Sequence, residues 1–199
     1  MTLTAGDVES IFRRSGALLD GHFALSSGKH ADRYLEKFQV FQWPRETERL
    51  CAEIARRAGA LAPATVAGPT TGGVILAHEV GRQLGARAVY AERVANGRGR
   101  AFRRGASPAP NERVLVVDDI LSTGGSLHET IGAVRSCGAT VVGAAVLADR
   151  SGGAAFDDVP LIALWEIRLP AYDPADCPQC SAGLPLQRRG TTPAAATEP

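Results

Sequence analysis

Val114-Leu115-Val116-Val117-Asp118-Asp119-Ile120-Leu121-Ser122-Thr123-Gly124-Gly125-Ser126 is the stretch on which the fold turns. Its four leading apolar residues, mostly β-branched, have the signature of a strand buried on both faces. An acidic pair follows, then a short loop of hydroxyls and glycines, then a helical pattern from Ser126 to Cys137. In a parallel sheet, ligands meet the chain beyond the carboxyl ends of the strands, so Asp118 and Asp119 emerge where a substrate can be reached. Two adjacent carboxylates suit the hydroxyls of a polyol. Ser122 to Ser126 offer successive backbone N–H groups at a helix N-terminus, and Gly124 and Gly125 allow close approach, which is the chemistry of an anion cradle. Ser126 and Glu129 have the spacing of a capping box that would fix the start of the helix.

Outward from this segment the same rhythm repeats. Thr65 to Gly68, Ala86 to Ala91 and Val141 to Leu147 read as strands, and Val74 to Leu84, closed by Gly85, reads as a helix. Apolar strands alternating with helices of about a dozen residues indicate a mostly parallel, doubly wound α/β sheet covered on both faces. Towards the N-terminus, Val8, Ile11, Phe12 and Leu18 follow helical spacing with Thr4 as N-cap, and Pro44 opens a helix that Gly59 closes. Between them a loop or hairpin at Phe23 to His30 leads into a predicted strand at Tyr34 to Phe41.

Residues 93–113 break the rhythm with six arginines, three glycines and two prolines, as a mobile hairpin or a surface loop would. Gln187 to Pro199, rich in Pro, Ala and Thr, reads as a disordered tail, leaving residues 1–186 as a single domain. With 45% hydrophobic and 22% charged residues and a net charge of +1, the chain has no global bias towards nucleic acid or membrane. The N-terminus lacks a basic stretch followed by an apolar run, so a cytoplasmic protein is expected.

No Gly-x-x-x-x-Gly-Lys-Ser/Thr occurs, and no Gly-x-Gly-x-x-Gly follows the first strand, which disfavours P-loop and dinucleotide chemistry. Plain strand-to-helix turns also carry Gly and Ser, and paired aspartates can be merely solvated. Joined to the buried strand, the carboxylates and cradle fit a ribose 5-phosphate better. A second turn, Gly68-Pro69-Thr70-Thr71-Gly72-Gly73, lies between a strand and a helix and is either a second anion site or a connecting turn.

The segment Val114 to Ser126 resembles the phosphoribosyl pyrophosphate (PRPP) motif of the type I phosphoribosyltransferases, and the resemblance runs in order over residues 20–185. It implies that fold, with an N-terminal hood over about residues 1–42, joined by the C-terminal part, and a flexible hairpin. By the resemblance Asp118 and Asp119 hold the ribose hydroxyls, and Ile120, Leu121, Ser122, Thr123, Gly124, Gly125 and Ser126 form the 5-phosphate loop. Thr70, Thr71 and Gly72 fall in the pyrophosphate loop. Magnesium is implied as the cofactor, bound mainly through the substrate and through Asp118 and Asp119.

The stretch Phe23-Ala24-Leu25-Ser26-Ser27-Gly28-Lys29 followed by Tyr34 is similar to the hood of orotate phosphoribosyltransferases. That resemblance implies an orotate site at Ser26, Lys29, Tyr34, Ser122 and Arg150, the guanidinium receiving the carboxylate bidentately. It also implies transfer of phosphoribose from PRPP to orotate in pyrimidine synthesis, by a homodimer with shared sites. Arg93, Arg98, Arg100, Arg103 and Arg104 stand where common members carry a lysine pair and a histidine, and of these Arg93, Arg103 and Arg104 are the candidate catalytic loop cations. This departure, with Cys177-Pro178-Gln179-Cys180, resembles the Thermus-type branch. The alternatives are a purine or other nucleobase transferase, which Arg150 and the hood oppose, and a non-catalytic PRPP-responsive regulator, for which no nucleic-acid-binding extension is visible.

Cys177 and Cys180 have metal-ligand spacing, but no second Cys or His pair lies near them in sequence. A structural turn, a zinc ion shared with another chain and a disulfide remain open. His22, His30, His78 and His128 receive no catalytic role.

Overall fold

The computed structural model describes residues 2–25, 27–95, 99–153, 156 and 158–189. The chain opens with helix α1 (Ala5–Arg14), started by a capping box between Thr4 and Asp7, and enters the antiparallel hairpin β1 (Leu18–Ala24) and β2 (His30–Leu35). Residues 38–41 form a short helix, α2 (Phe38–Phe41), where the sequence predicts strand. The aromatic spacing that reads as β instead places Val40 in the core while Phe38 stays exposed.

Helix α3 (Pro44–Ala58) has the expected proline in its first turn. There follow β3 (Thr65–Pro69), α4 (Gly72–Leu84), β4 (Arg87–Arg93), β5 (Arg100–Phe102), β6 (Arg113–Leu121), α5 (Gly125–Ser136), β7 (Thr140–Asp149) and β8 (Leu161–Glu166). Beyond β8, a single helical turn, α6 (Pro178–Ser181), precedes the two-residue strand β9 (Gln187–Arg188).

The main sheet has the order β5-β4-β3-β6-β7-β8, all parallel except β5, which returns antiparallel on β4. The chain therefore winds outward from β3 to β4, then crosses to β6 and winds the other way. Crevices for ligands open at such a reversal, beyond the carboxyl ends of the two central strands. Here those ends are Pro69 of β3 and Leu121 of β6.

Alternation along β6 divides the core. Leu115 and Val117 join the layer containing α1, α3 and α4, whereas Val114 and Val116 face the layer containing α5. Both sides of the strand are buried, which is why the sequence shows an unbroken apolar run.

A second, three-stranded sheet, β2-β1-β9, forms the hood. Gln187 and Arg188 pair in parallel with Phe23 and Ala24, so the segment predicted to be a disordered tail begins with an ordered strand; residues 190–199 of it lie outside the described residues. The physical reason is that β1 has an open edge whose backbone groups accept a partner whatever its side chains. Among the described residues no helix is long and apolar enough to cross a membrane.

Candidate active site at the sheet reversal

Strand β6 continues through the acidic pair to Leu121, so the two carboxylates take opposite sides of the sheet. Asp119 follows Leu115 and Val117 towards α4, and Asp118 follows Val114 and Val116 towards α5. Each is locally braced: the Asp119 N–H donates to Asp118 Oδ1 at 2.8 Å, and the Ile120 N–H to Asp119 Oδ1 at 2.7 Å. Both are buried. Burial, reinforced by the neighbouring Asp119 charge, holds the Asp118 carboxyl well above the usual range, with Lys37 and Arg100 pulling the other way.

Asp119 meets a cation that the sequence did not single out. Lys37 Nζ donates to Asp119 Oδ1 at 3.0 Å from the connection between β2 and α2. The other oxygen, Oδ2, is buried without a hydrogen-bond partner and faces Gly72, where any Cβ would collide with it. Only glycine allows the first turn of α4 to come this close to the carboxylate.

Lys37, Asp118, Asp119 and the loop from Ser122 to Ser126 line a cavity of about 140 Å³. Gly124, at φ +80°, turns the chain into α5, whose first N–H groups point outward for want of intrahelical partners. The predicted capping box does not form, and no side chain caps this helix. Its two members are taken by Arg100 instead: Arg100 Nη2 donates to Ser126 Oγ at 3.2 Å, and Glu129 Oε2 lies 3.3 Å from Arg100 Nε as an ion pair without hydrogen-bond alignment.

Arg100, expected only as one of the loop arginines, has an individual role that the sequence did not assign. Its nearly fully buried side chain also donates through Nη1 to the Thr70 carbonyl, to Thr70 Oγ1 and to the Ala91 carbonyl at 3.2–3.3 Å. It thus ties the turn after β3 to the loop after β6. Burial and the nearby Arg93 hold its pKa below the ordinary arginine value. The Thr70–Thr71 peptide in this turn is cis.

One strand further along the sheet, Leu121 is in register with Asp149, and the Arg150 N–H donates to the Leu121 carbonyl at 2.8 Å. Arg150 therefore leaves the sheet beside the start of the Ser122 loop. It lines an open cavity of about 750 Å³ with Ser151 to Gly153 and with Glu166 to Pro170. Tyr34 packs on Phe23, and its hydroxyl is pushed up by burial and Glu36, opposed by Arg150, which places Arg150 within electrostatic reach.

The remaining candidates are more scattered. Lys29, at the hairpin turn, lies 3.4 Å from Asp173. Arg93 and Arg103 are exposed, and Arg104, with φ +59°, is paired to Glu92 at 3.3 Å. Ser26 and Arg98 lie outside the described residues.

The expectation that zinc at Cys177 and Cys180 would be shared with another chain is corrected by the fold, which supplies a second ligand pair from this one. The hairpin carries His22 and His30 against both cysteines, across separations of 155 and 150 residues that hide the contact from the sequence. Among the described residues these are the four side chains that form a metal-ligating group.

Residues 39–168 match the family described as "Phosphoribosyl transferase domain". An orotate phosphoribosyltransferase of Desulforamulus reducens is 45% identical over 185 residues, covering 93% of this chain and 96% of that protein. One from Thermotoga maritima is 42% identical over 184 residues, covering 92% and 97%. Among solved structures, the orotate phosphoribosyltransferase of Aeropyrum pernix superposes with a TM-score of 0.68 at 29% identity, covering 80% of this chain and 93% of that one. Matched over well more than half its length by the domain, and related at this level over nearly all of it, the chain belongs to the phosphoribosyl transferase family and, within it, to the orotate phosphoribosyltransferases.

Proposed function

We propose that the chain transfers the phosphoribosyl group of PRPP to orotate, giving orotidine 5-monophosphate and pyrophosphate. The observation that carries this reading is the meeting, at one sheet reversal, of two buried carboxylates and two glycine-containing turns, with Arg150 one strand away. In this reading Asp118 and Asp119 receive the ribose hydroxyls and the Ser122–Ser126 loop the 5-phosphate. Thr70, Thr71 and Gly72 face the pyrophosphate. Arg150 receives the orotate carboxylate, with Tyr34, Lys29 and Ser26 contributed by the hood and Ser122 by the phosphate loop.

The acceptor nitrogen bonds to C1 of the ribose as the C1–oxygen bond to pyrophosphate breaks, the electron pair leaving with pyrophosphate and the proton of the nitrogen passing to that departing group or to water. No covalent nucleophile is required. The protein aligns nitrogen and C1, and its backbone dipoles and arginines receive the charge that develops on the leaving group. Arg93, Arg103 and Arg104 sit on or beside the β4–β5 hairpin, whose closure would exclude water.

The donor set also fits magnesium. Asp119 Oδ2 is a buried carboxylate oxygen without a hydrogen-bond partner, and hard oxygen donors are what this cation prefers. Asp118 and Asp119 would hold it, mainly through the substrate. When bound, the ion would neutralise pyrophosphate charge. We also infer that the chain acts as a cytoplasmic homodimer, its hairpin reaching the partner's site.

The test is incubation with PRPP, magnesium and orotate, following loss of orotate absorbance, beside adenine, hypoxanthine and uracil. Turnover of orotate alone is expected. Turnover of a purine instead, or of no base at all, would overturn the reading.

A further inference from the structure

The described residues from Arg168 to Arg189 present a packing problem. Cys177 is the one buried residue among them, while Leu184 and Leu186 are 50% and 43% exposed. A segment of this length that buries so little apolar surface, with only Leu169 packed on the main core, has little to offset the entropy lost in ordering it. Apart from the two-residue strand β9, it meets the hood through a backbone bridge between His30 and Tyr172, an Arg33 Nη2 donation to the Arg168 carbonyl at 2.9 Å, an exposed Lys29–Asp173 pair and the contact of Cys177 and Cys180 described next. At its one buried residue, Cys177, the contact is polar.

At that contact four ligand atoms converge. His22 Nε2 is 3.0 Å from His30 Nδ1, 3.5 Å from Cys177 Sγ and 3.6 Å from Cys180 Sγ. Cys180 Sγ is 3.3 Å from His30 Nδ1, and all four atoms lie within 4.8 Å of one another. A tetrahedral zinc with bonds of about 2.3 Å to sulfur and about 2.0 Å to nitrogen has ligand-to-ligand edges of roughly 3.3–3.8 Å. Four of the six edges match to within a few tenths of an ångström, and the longest separation, 4.8 Å, is about 1 Å wider than such an edge, a gap that a side-chain rotation on binding would close.

The surroundings favour the same occupant. His22 Nδ1 is 2.9 Å from the Leu184 carbonyl, which can only accept. In the neutral ring the proton is therefore on Nδ1, and Nε2 presents its lone pair to the two sulfurs, the arrangement that a backbone carbonyl imposes on metal-bound histidines. Two thiolates would balance a divalent cation, leaving a neutral centre suited to a site where His22, His30 and Cys177 are all buried. Gln179 Oε1, which accepts from the Cys177 thiol at 3.3 Å, would give up that bond when the proton leaves. Two nitrogens and two sulfurs are a donor set that favours zinc among common divalent cations.

We propose that His22, His30, Cys177 and Cys180 bind one zinc ion, which pins the segment after β8 to the hood hairpin. The role is structural, since the four positions are filled by protein and none is left for substrate. The site stands apart from the carboxylates of β6 and rests on none of the assignments made there.

The test uses the full chain without a histidine tag, purified from zinc-supplemented cells and dialysed. Elemental analysis should find close to one zinc per chain, and cobalt replacement should give the absorption of a tetrahedral, thiolate-bound ion. Cys180→Ser, at an exposed position, should lose the metal, whereas Cys137→Ser, outside the cluster, should keep it. Because the variant could also misfold, wild-type protein should be stripped with a chelator and probed by limited proteolysis. New cleavage within residues 170–189, reversed by zinc alone, is expected. A natively folded wild type that carries no metal, gives no cobalt spectrum after reduction and shows unchanged cleavage on chelation would overturn the proposal.

Discussion

Asp118 is buried where its charge is unwelcome, and that fixes what its replacement should do. A carboxylate whose folded pKa lies above its unfolded value destabilises the fold once it ionises. Below the unfolded pKa the residue is neutral in both states and costs nothing; as pH rises through the interval up to the folded pKa, stability is progressively lost. Asp118→Asn keeps the acceptor for the Asp119 N–H and removes the charge. It should therefore raise the melting temperature at neutral pH, by roughly 1–3 kcal/mol of added stability, while abolishing PRPP-dependent turnover. A variant less stable than wild type at pH 7 would refute the electrostatic account. Arg100→Gln should act differently. Losing the link between Thr70 and Ser126 should lower kcat/KM for PRPP by roughly 10–100-fold, about 1.4–2.7 kcal/mol, with little effect on the KM for orotate. Arg150→Ala should show the reverse pattern, raising the KM for orotate at near-constant KM for PRPP; unchanged orotate kinetics would remove Arg150 from the acceptor site. Asp118, Asp119 and Arg150 were legible because each stands at the end of a recognisable strand. Lys37 was not, and Arg100 was visible only as one arginine of a cluster, because they act on partners 82 and 26–30 residues away, which no local pattern shows.

At the scale of elements, most strands and helices announced themselves through unbroken apolar runs or helical spacing. Leu161–Glu166, not among the expected strands, has the same apolar character after Pro160. The failures have a common cause. Phe38–Phe41 has β-forming residues but is wound as a helix, and Ser126 and Glu129 have capping spacing but are claimed by Arg100. In both cases a tertiary contact outweighs a local preference. Helix α3 offers a prediction of its own. Glu53 is 2% exposed, accepts from Arg56, Arg57 and the Leu3 N–H, and is held down to about 2, chiefly by Arg56. Its stabilising contribution is complete above the ordinary glutamate pKa and is lost as pH falls from there to about 2. Glu53→Gln should cost about 2–3 kcal/mol at neutral pH, and its melting temperature should converge on that of wild type as pH approaches 2.

At the scale of the molecule, the order of the main sheet places the ends of β3 and β6 side by side, and the sequence predicted the class but not that order. Strand order depends on which apolar faces meet across long crossovers, information that no single segment contains. The hood was visible only in outline. Its third strand comes from Gln187–Arg188, and its histidine–cysteine contact joins positions at opposite ends of the chain.

Neighbouring aspartates on one strand point to opposite sides of the sheet, so each is propped by a different half of the interior. Asp119 stands on the layer of α1, α3 and α4, and Asp118 on that of α5. Loosening one half, for instance by Leu76→Ala, should blur the grip on one sugar oxygen and spare the other; Ile131→Ala should do the opposite. Paired with PRPP analogues lacking a single hydroxyl, the two lesions should reveal a sugar held by two independent hands.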